Sequence, residues 1–172
     1  DAGGYFWTSS DEAGGPVFGW VDTAGGQSFA LGDDDEVNIN LPFPVTFYTL
    51  TTQSLRIGNN GAILVGATSG DVDFQNPAMT DAPAFMVSPF WDDLDAGGSV
   101  RWTTTGLAPH RAAVIEWRDV PRYTTAGPVG AATWQALLFE DGTGVFQYLD
   151  VSFGSGAYDG GASATVGIRG QT

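Results

Sequence analysis

The sequence predicts an all-β fold, an antiparallel β-sandwich, jelly roll or barrel of roughly ten to thirteen short strands in one domain spanning residues 1–172. Three observations carry that prediction. Turn residues (Gly, Pro, Asp, Ser-Gly) interrupt the chain every eight to twelve residues or so, a strand cadence rather than a helical one. The intervals between them are rich in Val, Ile, Phe, Tyr, Trp and Thr. Aromatic residues make up 13% of the chain, with 6 Trp and 11 Phe, enough bulk to fill an interior in the absence of any cysteine.

Taken in order, the expected strands are residues 5–9, 17–22, 27–31, 36–41, 45–48, 54–57 and 62–66 in the first half. Residues 85–91, 99–104, 112–117, 133–139, 144–149 and 164–168 follow in the second. Val37, Ile39 and Leu41 alternate with Asn38 and Asn40, the pattern of a strand with one wet face. By contrast, Ala112-Ala113-Val114-Ile115 and Ala136-Leu137-Leu138-Phe139 have no polar alternation, which predicts central strands covered on both faces. Asn59-Asn60-Gly61 and Glu140-Asp141-Gly142 join apolar runs and predict two tight hairpins, because these residues accept positive φ. Residues 68–83 lack periodicity and predict a long surface loop, and residues 123–132 a plain connector.

The formal net charge is −14, with six cationic side chains, all arginine, against 20 Asp and Glu. A polyanion meets repulsion over such a surface, so nucleic acid and anionic membranes are excluded as expected partners. No run approaches the ~18 consecutive apolar residues of a membrane span. No charged-then-apolar leader follows Asp1, so an exported chain is expected here as a mature or excised unit. The absence of cysteine rules out disulfides and thiolate metal sites.

Carboxylates in this density suit hard cations, and two clusters stand out as candidate calcium ligands. Asp33, Asp34 and Asp35 directly precede an expected strand. Asp92, Asp93 and Asp95 follow Trp91 where the chain turns sharply, and this is the stronger cluster. The competing role for both is plain turn chemistry, with carboxylates bonded to nearby backbone amides. His110 is the sole histidine and sits in a Pro109-His110-Arg111 turn, and no Gly-x-Ser-x-Gly motif accompanies it. Glu116 is the acid a glycoside hydrolase would most plausibly use, yet pairing with Arg101, Arg118 or Arg169 is the expected role. Trp91, Trp117 and Trp134 are expected in the core, whereas Trp7, Trp20 and Trp102 remain available for stacking on sugars.

From Leu41-Pro42-Phe43-Pro44-Val45-Thr46-Phe47-Tyr48 onward, a series of motifs resembles the nidogen-like extracellular domain. It continues through Leu55-Arg56-Ile57-Gly58-Asn59-Asn60-Gly61, Val87-Ser88-Pro89-Phe90-Trp91-Asp92-Asp93-Leu94-Asp95 and Val114-Ile115-Glu116-Trp117. Thr133-Trp134-Gln135-Ala136-Leu137-Leu138, Phe146-Gln147-Tyr148 and Ala164-Thr165-Val166-Gly167-Ile168 complete it in the same order. Tyr5-Phe6-Trp7 and Phe18-Gly19-Trp20-Val21 are similar to related β modules of secreted bacterial proteases and surface proteins. The resemblance implies a secreted or cell-surface adhesion or interaction module without chemistry of its own. Its expected partner is an extracellular protein or glycan, or further copies of itself. The alternative is a structural subunit that assembles into a filament or surface layer by strand addition.

Overall fold

The computed structural model describes residues 1–171. Its strands are β1 (Gln27–Phe29), β2 (Glu36–Phe47), β3 (Leu50–Gly58), β4 (Ile63–Val65) and β5 (Met86–Trp91), then β6 (Ser99–Thr105), β7 (Ala112–Arg122), β8 (Val129–Phe139), β9 (Gly144–Asp150) and β10 (Thr165–Arg169). All pairings are antiparallel, and they build two five-stranded sheets. The first runs β1-β6-β7-β8-β9 and the second β10-β5-β4-β3-β2. No helix among the described residues is long and apolar enough to cross a membrane.

Burial along the strands explains why they form. In β2, Ile39, Leu41, Phe43, Val45 and Phe47 point inward while Asn38, Asn40, Pro42, Pro44 and Thr46 face solvent. That alternation places one face of an edge strand on the core. The two stretches expected separately at 36–41 and 45–48 are thus one strand, with an irregular register between Asn40 and Val45 where the prolines fall. Between the sheets, Trp117 stacks on Trp134 with centroids 5.5 Å apart and planes 10° from parallel, and Phe90 lies 5.0 Å from Trp134. Ile39, Phe43, Ile57, Ile63, Ile115 and Leu138 fill the same core around them.

The strands without alternation owe their pattern to a second cover. The loop at 68–83 folds back over the outer face of the second sheet, where Val72 and Ala82 pack with Ala62, Leu64, Met86 and Trp91. On the first sheet, Ala112, Val114 and Leu137 of the outer face are covered with the help of Val21. Each sheet is therefore dry on both sides at its centre, and β7 and β8 read as continuous apolar runs for that reason.

Both hairpins form, with Gly61 and Gly142 at positive φ. Three expectations fail. Residues 5–9 and 17–22 join no sheet: Phe6 and Trp7 are largely exposed, and the backbone at Gly19 and Val21 is held by glutamine side chains rather than by a neighbouring strand. The connector expected at 123–132 is shorter, since β8 already begins at Val129.

The two core indoles differ in one respect that an experiment can isolate. Trp117 Nε1 donates to the Gly58 carbonyl at 2.8 Å, joining the sheets, whereas Trp134 Nε1 is buried without a partner. Trp117→Phe and Trp134→Phe remove similar volume, so the first is expected to destabilise more, by about 1 kcal/mol in urea melts.

Candidate functional site

Asn59, Asn60 and Gly61 turn the chain between β3 and β4, and this corner gathers both acidic turns. Gly61 has φ +82, and a Cβ there would stand 1.9 Å from the Phe90 carbonyl, so only glycine lets β5 approach. The Asn59 amide N–H donates to the Asp35 carbonyl at 3.0 Å. Asn60 Nδ2 donates to Asp34 Oδ1 at 2.8 Å and to the Val72 carbonyl at 3.1 Å. On the other side, Asn60 Oδ1 accepts the Leu94 N–H at 2.8 Å, and Asn59 Nδ2 donates to the Leu94 carbonyl at 3.0 Å. Two asparagine side chains thereby tie residues 34, 72 and 94 to one point, with the Asn59 backbone adding residue 35. Asn59 Oδ1 is buried and accepts no hydrogen bond.

The stronger cluster divides its labour. Asp92 is fully buried, and its Oδ1 accepts the Asp93 N–H at 2.9 Å. Arg122 Nε stands 3.2 Å from the same oxygen, an ion pair without hydrogen-bond alignment, and Ser163 Oγ donates to Asp92 Oδ2. Arg122 Nη1 lies 3.2 Å from Asp93 Oδ2 and donates to the Asp93 carbonyl, while its guanidinium sits 4.9 Å above the Tyr158 ring. Asp95 Oδ1 accepts the Ala96 N–H at 2.6 Å. In the other turn, Asp35 accepts the Glu36 N–H at 2.9 Å and the Gly32 N–H at 3.4 Å, so it closes its own loop.

What the sequence presents as two clusters is electrostatically one. Partial burial pushes the Asp33 carboxyl up from its ordinary value of 3.8, and the charges of Asp34, Asp95 and Asp93 push it further in the same direction. Asp93 is raised by burial too, with Asp34 and Asp92 adding to it and Arg122 opposing. Asp33, Asp34, Asp93 and Asp95 therefore share one acidic corner that Arg122 only partly neutralises. Among the described residues, no three carboxylate or imidazole side chains are drawn together in an arrangement that holds a metal ion.

The remaining candidates fall elsewhere. Glu116 is fully buried and bonded to Arg118 Nε at 2.5 Å, one of the three arginines expected for it. His110 is exposed in its turn. Trp91, Trp117 and Trp134 are core, as expected. Trp20 stacks on Phe18 at 6.1 Å and Trp102 Nε1 donates to Gln27 at 3.0 Å. Sequence reasoning missed Arg122 and Ser163 as partners of Asp92. The scarcity of cations is the signal that could have found Arg122, because a buried acid in this chain has few places to find one.

The chain is a two-sheet β-sandwich whose buried acids Asp92 and Glu116 are committed to ion pairs. The family described as NIDO related matches residues 12–172, and the chain belongs to it. Alpha-tectorin of Homo sapiens is 24% identical over 159 residues, covering 77% of this chain and 7% of that protein. Alpha-tectorin of Mus musculus matches with the same identity and coverage. The chain thus spans a small fraction of the relatives it matches. No solved structure gives a significant match.

Two outcomes follow from this geometry. Arg122→Met leaves Asp92 buried and uncompensated, and it is expected to cost about 3–5 kcal/mol by chemical denaturation. Adding Asp92→Asn to it should recover part of that loss, and strict additivity of the two would deny the pairing. For Asp33, the folded chain holds its proton to a higher pH than the unfolded chain, so its ionisation costs stability as pH rises above 3.8. Asp33→Asn in chelator should raise Tm at neutral pH, and the gain should shrink as pH falls through the raised value toward 3.8 and as salt is added.

Proposed function

We propose that this domain is a non-catalytic interaction module, secreted or displayed at the cell surface, which binds an extracellular protein or glycan, and that calcium stabilises its acidic corner. The observation that carries the non-catalytic reading is the commitment of the acids. Glu116 is sealed in the outer layer with Arg118 and Thr23, and Asp92 is sealed with Arg122 and Ser163. Neither retains a free carboxylate edge beside a cleft, as general acid or base chemistry needs. Membership of the NIDO-related family supports the extracellular setting.

Calcium is favoured by the raised Asp33 and Asp93 carboxyls, since a divalent cation stabilises the charged form that partial burial, and to a lesser extent their acidic neighbours, disfavours. The buried, unpartnered Asn59 Oδ1 adds a neutral oxygen at the same corner. Assembly by strand addition has less support from the edges. Edge strand β2 contains Pro42 and Pro44, which have no N–H to donate, and β1 and β10 have only three and five residues, which leaves β9 as the longest proline-free edge.

Thermal melting in calcium against chelator is expected to show a higher Tm with calcium, and Asp33→Asn combined with Asp93→Asn should abolish the difference. Equal melting in both would remove the metal from the proposal. Beads coated with the domain should be retained on arrays of extracellular glycans or proteins without consuming them. Polysaccharide turnover that disappears in Glu116→Gln would overturn the non-catalytic reading.

A further inference from the structure

The outer face of the first sheet carries a polar row in strict cross-strand register. Glu116 of β7 faces Gln135 of β8, and Gln135 faces Gln147 of β9. All three side chains are buried, Glu116 and Gln135 completely. Their cover is residues 19–23, which cross this face in extended form. The Gly19 N–H donates to Gln147 Oε1 at 2.7 Å, and Gln147 Nε2 donates back to the Gly19 carbonyl at 2.9 Å. Val21 repeats the exchange with Gln135, both bonds at 3.1 Å. Thr23 Oγ1 then donates to Glu116 Oε2 at 2.9 Å. Gln147 Nε2 also donates to Gln135 Oε1 at 3.1 Å, which fixes both amides in the required orientation.

A primary amide offers one carbonyl and one N–H on the same side, the same pair that a peptide unit presents along a strand edge. Gln135 and Gln147 therefore imitate a strand edge and read an extended backbone at alternate residues, while the face receives Val21 against Ala112, Val114 and Leu137. None of the bonds that fasten residues 19–23 belongs to a backbone ladder. Residues 19–23 can leave without dismantling either sheet, pivoting at the Ala24-Gly25-Gly26 turn that leads into β1. An arm exchanged from residue 1 also trades the hold on Tyr5, whose hydroxyl donates to the Gly142 carbonyl at 2.9 Å and whose ring lies 4.6 Å from that of Tyr48. Departure opens the row to water and exposes the apolar Ala112, Val114 and Leu137 beside it, while Glu116 keeps Arg118 and Gln135 keeps Gln147. An equivalent segment that re-covers this face regains that burial.

We propose that the N-terminal arm, residues 1–23, is exchanged between copies of this chain, each arm docking on the Glu116-Gln135-Gln147 row of its neighbour. The occupant is a second copy because the only segment shown to satisfy the row is the chain's own arm, and an exchanged arm makes the same bonds. Exposed apolar side chains concentrate on the same arm. Phe6 is 90% exposed, Trp7 80%, Val17 92% and Phe18 52%, all ahead of the docked residues, and a neighbouring copy gives them cover. This assembly uses no strand edge and does not depend on the identity of any extracellular partner. Because copies of charge −14 repel, it strengthens with salt.

The chain has no cysteine, so introduced thiols are unambiguous. A Cβ at Gly19 meets nothing within 4 Å, and Leu149, two residues beyond Gln147 where the β8–β9 register shifts, is 53% exposed. Gly19→Cys and Leu149→Cys are made in one chain, and separately in two chains carrying different tags. After incubation at high concentration below the melting temperature, each sample is treated with a short bis-maleimide. The double variant should close, and the mixed single variants should give a covalent dimer bearing both tags. Gln135→Ala with Gln147→Ala in both chains should lower that dimer by about tenfold. Closure confined to single chains, with no two-tag dimer at any salt concentration, would overturn the exchange. Failure of the double variant to close would overturn the docking itself. Neither result touches the melting or array tests of the interaction module.

Discussion

The corner at residues 58–61 is the constraint on which the other parts converge. Gly58 accepts the Trp117 indole from the opposite sheet, and a Cβ there would meet Val72 at 2.5 Å. Asn60 holds Asp34, Val72 and Leu94 together, and Gly61 admits β5 at a distance no other residue permits. One turn thus sets the spacing of the two sheets, the return of the long loop and the position of both acidic turns. A turn chosen for its tolerance of positive φ serves here as a polar junction, because asparagine supplies both donors and an acceptor in little space.

Charge follows the same economy. Twenty acids meet six arginines, and four of the six are spent on Glu36, Glu140, Glu116 and the Asp92–Asp93 pair. Three of these pairs fasten structure where desolvation makes an unmatched acid costly: Glu36 at the entry to β2, Glu116 beneath the arm, and Asp92 behind β5. Among the described residues, Asp33, Asp34 and Asp95 pair with no arginine and crowd the same end of the sandwich as Asp93, where partial burial first and neighbouring charge second raise Asp33 and Asp93.

Both sheets are covered twice, once by each other and once by a segment that is not a strand. The loop at 68–83 seals the second sheet with apolar contacts and the Trp91 indole bonded to the Asp73 carbonyl at 2.6 Å. The arm seals the first sheet through side-chain amides. The two covers differ in kind, the loop held mainly by apolar packing and residues 19–23 by hydrogen bonds with Gln135, Gln147 and Glu116.

The sequence by itself determined the class of fold, because strand periodicity, turn residues and aromatic content are local properties that burial merely ratifies. The alternation at Ile39 and Leu41, the hairpins at Gly61 and Gly142, the unbroken apolar runs of β7 and β8 and the buried Trp117 and Trp134 were all legible. It named the acids at 33–35 and 92–95 as well. Tertiary structure alone decided that Asp33, Asp34, Asp93 and Asp95 share one corner while Asp92 is spent on Arg122 and Asp35 on its own turn. It also decided that residues 17–22, patterned like a strand, lie across a sheet instead of within one. Both results depend on which distant residues meet, Asn60 with Asp34 or Gly19 with Gln147, and a linear pattern holds no record of such long-range pairing.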